Sequence, residues 1–322
     1  STYYVESNYL YIDEVRTGAS MFYFAKGDKV KSAAENFSVQ VSQAFKNKGK
    51  HSKRLAIDKI MLDGFKSLEN RDLKIENGEK IMEHARSIKS TEEIKAMRCS
   101  ISACETSMHI MENKTKPGMT ENDIWSILHS ENIKRGGEWI ETRLLSSGTK
   151  TNPWFQECGS RILQNNEILA FDTDLVGCYS MCTDISRTWW VGDREPTHEM
   201  KEDYRIALDH ILQNAELIAP GVHFKDLTFK GHQLNNTYKK QQYSCRFHGV
   251  GLCDEFPLIA YSEDYEEGAF DYVLQPGMTL CVEALISREN GEFSIKLEDQ
   301  LLVTESGYEN LTSYPFDKKF LN

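Results

Sequence analysis

Three acidic residues lie within two strongly apolar stretches near the middle of the chain. Asp172 and Asp174 end the stretch at residues 166–174, and Asp184 lies in the stretch at residues 181–191. A carboxylate is rarely buried in a strand unless a cation or hydrogen bonds compensate its charge. These positions therefore predict a site at which several acidic side chains act together.

The two stretches predict the strands of one antiparallel hairpin. If its turn is centred on Tyr179, Asp174 lies opposite Asp184, and Asp172, two residues earlier, points to the same face. Three converging carboxylates repel one another and resist burial, so the arrangement predicts a bound metal ion. The alternative is that one or two of these acids cap turns or pair with Arg187.

Polar residues also interrupt apolar strands farther along the chain. The set with this property is Asp172, Asp174, Asp184, His248, Glu283 and Glu298. His248 begins the pattern His-Gly-Val-Gly, whose glycines let the backbone come close to a bound species. Each residue alone is compatible with a structural role. Together, one imidazole and several carboxylates predict a site for two divalent transition ions, such as iron, manganese, cobalt or zinc.

Composition limits the function classes. The chain has 322 residues, of which 40% are hydrophobic and 27% charged, so it is long enough for two domains. Its net charge of -11 argues against a nucleic-acid or membrane-surface partner. We expect a cytoplasmic protein, because no stretch reaches 18 apolar residues and the N-terminus lacks the features of a signal peptide. Eight cysteines without a Cys-x-x-Cys pair predict buried free thiols.

The predicted secondary structure changes near residue 89. Residues 1–88 alternate short apolar and amphipathic stretches, which predicts a small α/β domain. Ser90 and Glu93 then form the pattern of a capping box at the start of a helix that extends to about residue 112. Further helices are predicted at 120–135, 196–218 and 224–233, and a strand at 138–147.

The order of the polar groups resembles the creatinase/aminopeptidase P/methionine aminopeptidase superfamily. The shared pattern is a hairpin with two acids, a His-Gly-x-Gly, a strand glutamate and a final Leu-Glu-Asp, over about residues 89–312. The resemblance implies an α+β pita-bread catalytic domain at residues 89–322, around a two-metal site, with the small α/β domain before it. It implies the metal ligands Asp172, Asp184, His248, Glu283 and Glu298. Among these, Asp184 and Glu298 are expected to bridge the ions, and Asp174 is an additional acidic ligand.

Three departures from the peptidases of this superfamily argue against peptide hydrolysis. The first is the extra acid that precedes Asp184. The second is Trp154, which stands where peptidases carry a substrate-binding histidine. The third follows His248, where the second catalytic histidine of the peptidases is missing and Asp254 and Glu255 stand near its place.

Three longer segments, at residues 131–145, 152–159 and 248–255, resemble a narrower group, the dimethylsulfoniopropionate lyases of the DddP class. Those enzymes are longer at the N-terminus, so we expect the start of the first domain to be missing here. The resemblance implies a β-elimination that splits a small zwitterion into dimethyl sulfide and acrylate. It also implies a homodimer and favours iron as the metal.

The implied reaction gives three further residues a role. Asp254, six residues after His248 and near the lost histidine, is expected to be the general base, with a turn cap as the alternative. Tyr243 is expected to orient the substrate, although packing would explain it equally well. The indole of Trp154 is expected to bind the sulfonium cation, with packing of its loop as the alternative.

Two other functions fit part of the pattern. A metallopeptidase of the aminopeptidase P or prolidase type is favoured by the metal ligands but opposed by Trp154 and the lost histidine. A non-enzymatic pita-bread binding module would have lost several ligands, whereas this sequence retains all of them.

Overall fold

The computed structural model describes residues 14–48 and 53–322. The chain divides into two compact units, the first ending at Glu83 and the second beginning at His84. The sequence predicts an N-terminal domain at residues 1–88 and a catalytic domain at residues 89–322. This functional division remains a prediction, because compactness alone does not assign a function to either part.

The first unit contains a two-stranded parallel sheet. The elements that lie in it or begin in it are α1 (Tyr23–Lys26), α2 (Val30–Lys48), β1 (Arg54–Ile57), α3 (Leu62–Glu69), β2 (Lys74–Asn77) and α4 (Glu79–Ser87). Strand β1 pairs with β2 from Arg54 opposite Lys74 to Ile57 opposite Asn77. Helix α3 connects these parallel strands, as the crossover of a βαβ unit must.

Two capped helices open the second unit, α5 (Thr91–Lys114) and α6 (Glu121–Lys134). The predicted capping box is confirmed: the Glu93 amide donates to Ser90 Oγ at 3.3 Å, and the Ser90 amide donates to the Glu93 carboxylate at 2.7 Å. Thr120 and Asp123 form a second box at α6. Each box satisfies amide groups that the first helical turn leaves without partners.

Short strands follow the two helices. They are β3 (Trp139–Ile140), β4 (Leu145–Ser147), β5 (Glu167–Asp172), β6 (Leu175–Val176), β7 (Cys182–Thr183) and β8 (Ser186–Val191). They form two three-stranded sheets in the orders β3-β6-β7 and β4-β5-β8. The single strand predicted at 138–147 is therefore two strands that belong to different sheets.

The predicted register of the acidic hairpin is confirmed. The pairs on either side of the acids are Asp172 with Ser186 and Leu175 with Thr183. This register places Asp174 opposite Asp184. The ladder is nevertheless interrupted between the two pairs, because Asp174 adopts a positive φ of 36°.

Thr173 joins the two sides of this interruption through its side chain. Its hydroxyl donates to the Thr183 carbonyl and accepts from the Ile185 amide, both at 2.9 Å. The side chain thus replaces backbone pairing where the strands separate. Asp174 and Asp184 therefore lie where the two strands separate and not within a continuous ladder of backbone hydrogen bonds.

The remaining elements are α7 (His198–Ala215), α8 (Phe224–Lys230), α9 (Asn236–Lys239), β9 (Phe247–Val250), β10 (Asp254–Ile259), β11 (Thr279–Ser287), β12 (Ser294–Val303), β13 (Tyr308–Asn310) and α10 (Lys318–Leu321). The five strands form one sheet in the order β10-β9-β11-β12-β13. Every residue of β11 is buried. Both faces of this strand are therefore covered.

The two faces of β11 differ in chemistry. Val282, Ala284 and Ile286 share a core with Tyr204 and Ala207 of α7. Because side chains alternate along a strand, the intervening residues point to the opposite face, where the polar groups gather. Apolar packing against α7 thus fixes the sheet from one side and leaves the other side for the site.

The cysteines and the length of the apolar segments were both predicted from composition. All eight cysteines are free thiols, as predicted. In the ranges 14–48 and 53–322, no helix combines the length and the apolar character that crossing a membrane requires.

Candidate metal centre

The register of the large sheet brings its polar residues together. Glu283 of β11 pairs with Glu298 of β12, and His248 of β9 pairs with Cys281 of β11. His248 Nε2 lies 3.2 Å from Glu298 Oε1 and 3.6 Å from Glu283 Oε1. The strand glutamates and the histidine predicted from the sequence therefore meet at one point.

The acidic hairpin contributes residues from the other side. Asp184 is buried, and its Oδ2 lies 3.7 Å from His248 Nε2. The Asp174 amide faces Asp184 Oδ1 at 3.4 Å, and the Asp174 carboxylate accepts a hydrogen bond from the Thr142 hydroxyl. The hairpin and the sheet thus contribute to a single cluster.

A buried lysine divides this cluster into two parts. Lys296 Nζ has no solvent exposure and lies 2.9 Å from one oxygen of each of Asp172, Glu283 and Glu298. We call these three the lysine-bound acids. We call Asp174, Asp184 and Asp254 the open acids, because no lysine or arginine forms an ion pair with any of them in the described part of the chain.

The second carboxylate oxygen of each lysine-bound acid points away from Lys296. The Oε1 atoms of Glu298 and Glu283 face His248 Nε2, whereas Oδ1 of Asp172 is buried with no hydrogen-bond partner among the residues that the structure describes. A buried acceptor without a partner is costly. The second oxygens therefore suit a cation on the side of His248.

Two groups of donor atoms have the spacing that a metal ion requires. The first comprises Asp184, His248, Cys281 and Glu298, and the second comprises Asp174, Asp184 and Asp254. Within each group, the ligand atoms all lie within 4.8 Å of one another. Carboxylate oxygens with an imidazole fit divalent ions such as iron, manganese, cobalt or zinc. Asp184 belongs to both groups, as a bridging ligand would.

The pKa values do not divide along the two sets, because burial raises the pKa of Glu283, a lysine-bound acid, to about 7 although Lys296 opposes the shift. Burial, followed by the charge of Asp172, raises the pKa of Asp174 to about 8. Burial raises the pKa of Asp184 well above its usual range, and the neighbouring carboxylates add to the shift. Burial also acts on Glu298, but Lys296 and His248 outweigh it and lower the pKa of that group. At pH 7, Asp174 thus favours the neutral form unless another cation lies beside it.

Asp254 lies at the edge of the cluster, as the first residue of β10. Its Oδ1 is 3.6 Å from His248 Nδ1, and its side chain is 58% exposed. Partial loss of hydration raises the pKa of Asp254, while the neighbouring His248 opposes the shift. The next residue, Glu255, is buried in an ion pair with Lys89, with Arg86 Nε at 3.6 Å. Asp254 of β10 thus faces the cluster, while the neighbouring Glu255 is held in its ion pair with Lys89.

Tyr243 and Trp154 have different surroundings. The half-buried ring of Tyr243 lies 4.6 Å from Lys296 Nζ and stacks on Phe155 at 5.3 Å between centroids. Burial, with the charge of Glu283, raises the pKa of the Tyr243 hydroxyl, so it remains a neutral phenol. Trp154 is only 7% exposed and belongs to the core beneath α7, and its indole Nε1 has no hydrogen-bond partner in the residues described.

Sequence reasoning did not identify several residues of this site. Lys296 and Cys281 lie two positions before Glu298 and Glu283, so strand alternation places them on the same face, and a lysine in an apolar strand was a usable signal. The pairing of Glu255 with Lys89 joins residues far apart in sequence and had no local signal.

Comparisons with known proteins agree with this geometry. The model of metallopeptidase family M24 matches residues 95–305. The chain is 54% identical over 311 residues to dimethylsulfoniopropionate lyase DddP of Roseobacter denitrificans. This alignment covers 95% of this chain and 70% of that protein. The chain is 53% identical to the DddP of Roseovarius nubinhibens, with the same coverage.

The fold is similar to that of the X-Pro aminopeptidase of Thermotoga maritima. The TM-score is 0.74 at 20% identity, over 91% of this chain and 84% of the other. The expected pita-bread architecture is thereby confirmed, with mixed helix and strand content. The chain belongs to metallopeptidase family M24 and, within that family, to the group that contains the two DddP proteins.

Proposed function

We propose that the protein cleaves dimethylsulfoniopropionate to dimethyl sulfide and acrylate by a metal-dependent β-elimination. The observation that carries this proposal is the 54% identity to a dimethylsulfoniopropionate lyase over 95% of the chain. The site is compatible with it, because the acids and the histidine converge and Asp254 lies at the edge of their cluster, 3.6 Å from His248. The fold alone would fit a peptidase equally well.

Two divalent ions are proposed as cofactors, with iron favoured and manganese, cobalt or zinc as alternatives. The ligands proposed are Asp172, Asp174, Asp184, His248, Glu283 and Glu298. Support comes from the two donor groups that share Asp184 and from the free Oδ1 atom of Asp172. A divalent ion held there would act as a Lewis acid toward the substrate carboxylate and stabilise negative charge beside it.

Lys296 is proposed to position three of these ligands. It holds one oxygen of each lysine-bound acid at 2.9 Å and so fixes the direction of the other oxygen. Partners that orient ligands in this way affect metal affinity nearly as much as ligands do. Lys296 also supplies positive charge inside a cluster that would otherwise repel itself.

Asp254 is proposed as the general base. Its carboxylate accepts the proton from the carbon next to the substrate carboxylate. The electron pair of that C–H bond becomes the carbon–carbon double bond of acrylate, and the carbon–sulfur pair leaves with dimethyl sulfide. Partial exposure leaves Asp254 accessible, and a raised pKa makes a carboxylate a stronger base.

Tyr243 and Trp154 are proposed to contact the substrate. Tyr243 is compatible with an orienting role because its ring borders Lys296 and the lysine-bound acids. Trp154, which is 7% exposed, is proposed to contribute its indole to the binding of the sulfonium cation. A homodimer in the cytoplasm completes the proposal, from the family resemblance and the composition.

A gas-phase assay for dimethyl sulfide tests this function. The purified protein should release dimethyl sulfide and acrylate in equal amounts from dimethylsulfoniopropionate, lose this activity after chelation and regain it with iron. An Xaa-Pro dipeptide should remain intact. Hydrolysis of the dipeptide without dimethyl sulfide would identify a metallopeptidase instead, and inactivity toward both substrates would favour a binding module.

A further inference from the structure

Phe155 is an exposed aromatic residue held in an unusual backbone conformation. Its side chain is 58% exposed, and its φ of 69° lies in the left-handed region that favours glycine. The loop before it is tied down, since Asn152 Nδ2 donates to the carbonyls of Arg288 at 3.1 Å and Gly291 at 2.9 Å. The surrounding structure therefore maintains both the strain and the exposure of Phe155.

An aromatic stack connects Phe155 to the acid cluster. Its ring is nearly parallel to that of Tyr243, with 24° between the planes and 5.3 Å between the centroids. Tyr243 in turn lies 4.6 Å from Lys296 Nζ. The centroid of Phe155 is thus at most about 10 Å from the ammonium group that binds Asp172, Glu283 and Glu298. A small zwitterion could lie within this distance.

Phe155 is the most exposed of the three aromatic residues here, at 58% against 7% for Trp154, while Tyr243 is half-buried. Trp154 is buried in the core beneath α7. Tyr243 already serves Lys296 as a cation–π partner and stacks on Phe155. An aromatic face attracts cations that cannot form ordinary hydrogen bonds, such as sulfonium and quaternary ammonium groups.

We propose that the open face of Phe155 binds the dimethylsulfonium end of the substrate, while the carboxylate end lies toward the cluster. This assignment rests on the proposed lyase function and makes Phe155 a residue that determines specificity for a cationic leaving group. It also accounts for the exposure of a large apolar side chain at a strained position beside the site.

Two unreactive ligands can separate charge from shape. One is 3-(trimethylammonio)propionate, which carries a quaternary ammonium cation, and the other is 4-methylpentanoate, which has the shape of the substrate but an uncharged isopropyl group in place of the sulfonium. Calorimetric titration of Phe155→Leu should show binding of the cationic ligand weakened about two- to fivefold, the range for an exposed cation–π contact. Binding of 4-methylpentanoate should change less than twofold, and Phe155→Trp should retain or strengthen cation binding.

A matched control is Phe229→Leu, which alters another exposed phenylalanine, 48% exposed and packed on Tyr265. It should leave both affinities unchanged. Equal losses for the two ligands in Phe155→Leu, or no loss for either, would overturn the assignment even if the wild-type protein releases dimethyl sulfide. If the wild-type protein neither releases dimethyl sulfide nor binds the cationic ligand, the lyase function itself fails, and this assignment fails with it.

Discussion

The lysine-bound acids and the open acids occupy one cluster but differ in how their charge is compensated. Lys296 Nζ lies 2.9 Å from one oxygen on each member of the first set and so forms an ion pair with each. Among the residues that the structure describes, no lysine or arginine forms an ion pair with the second set, and His248 lies 3.7 Å from Asp184 and 3.6 Å from Asp254. Buried carboxylates need a cation or a proton. The protein thus supplies a cation for the first set, whereas buried Asp184 of the second set requires a proton or a metal ion.

Loss of Asp184 should have the largest effect. It belongs to both donor groups, so Asp184→Ala should remove all tightly bound metal. Glu298→Ala should do the same, because the family resemblance makes Glu298 the second bridging ligand. Activity should fall by more than the roughly 10- to 100-fold typical of losing an outer-shell partner. Elemental analysis together with the dimethyl sulfide assay measures both effects. Folded mutants that retain full metal content would show that these residues do not bridge the ions.

Lys296→Met tests the lysine-bound acids directly. It leaves three buried carboxylates without their cation, and breaking a buried ion pair typically costs about 3–5 kcal/mol. Urea unfolding of the chelated protein should show a loss of this size, and divalent metal should recover part of it. Lys296→Arg keeps the charge and should lose less. A methionine variant as stable as wild type would mean that Lys296 does not compensate these acids.

Asp254→Asn tests whether the third open acid is a base or a ligand. As a base, its loss should lower kcat at least about a hundredfold. The metal content should stay unchanged, because the other ligands remain. Near wild-type kcat would remove Asp254 from the reaction and leave Tyr243 as a candidate. Loss of metal would instead assign Asp254 to the second donor group as a ligand.

The smallest effect concerns Trp154, which lies outside both sets of acids. Trp154→Leu should weaken binding of the sulfonium substrate by roughly 0.5–2 kcal/mol, the range of a cation–π contact. Binding of acrylate, which carries no cation, should change little. Equal losses for the two ligands, or a large fall in Tm without selectivity, would identify Trp154 as part of the scaffold, consistent with its burial in the core.

The sequence was sufficient for features that depend on local periodicity. The register that places Asp174 opposite Asp184 follows from the symmetry of two apolar stretches about Tyr179, and the structure has that register. The capping box at Ser90 was equally local. The position of acids in otherwise apolar strands also identified Glu283 and Glu298 as residues that meet in the fold.

Features that depend on tertiary contacts were not predictable. The separation of the hairpin strands at Asp174 depends on side-chain hydrogen bonds of Thr173. The burial of Trp154 and the exposure of Phe155 depend on the backbone conformation of one loop. The role of Lys296 requires three acids from different strands, although its place in an apolar strand was visible.

The most direct test of the account is an anomalous difference map at the iron edge from crystals of the iron-loaded protein. Density should lie against Asp184, with His248 and Glu298 on one side and Asp174 on the other. Lys296 should still contact Asp172. A map without a peak beside Asp184, or with a peak in the position of the Lys296 ammonium group, would contradict the proposed site, in which the ions lie on the His248 side of the cluster and Lys296 keeps its place.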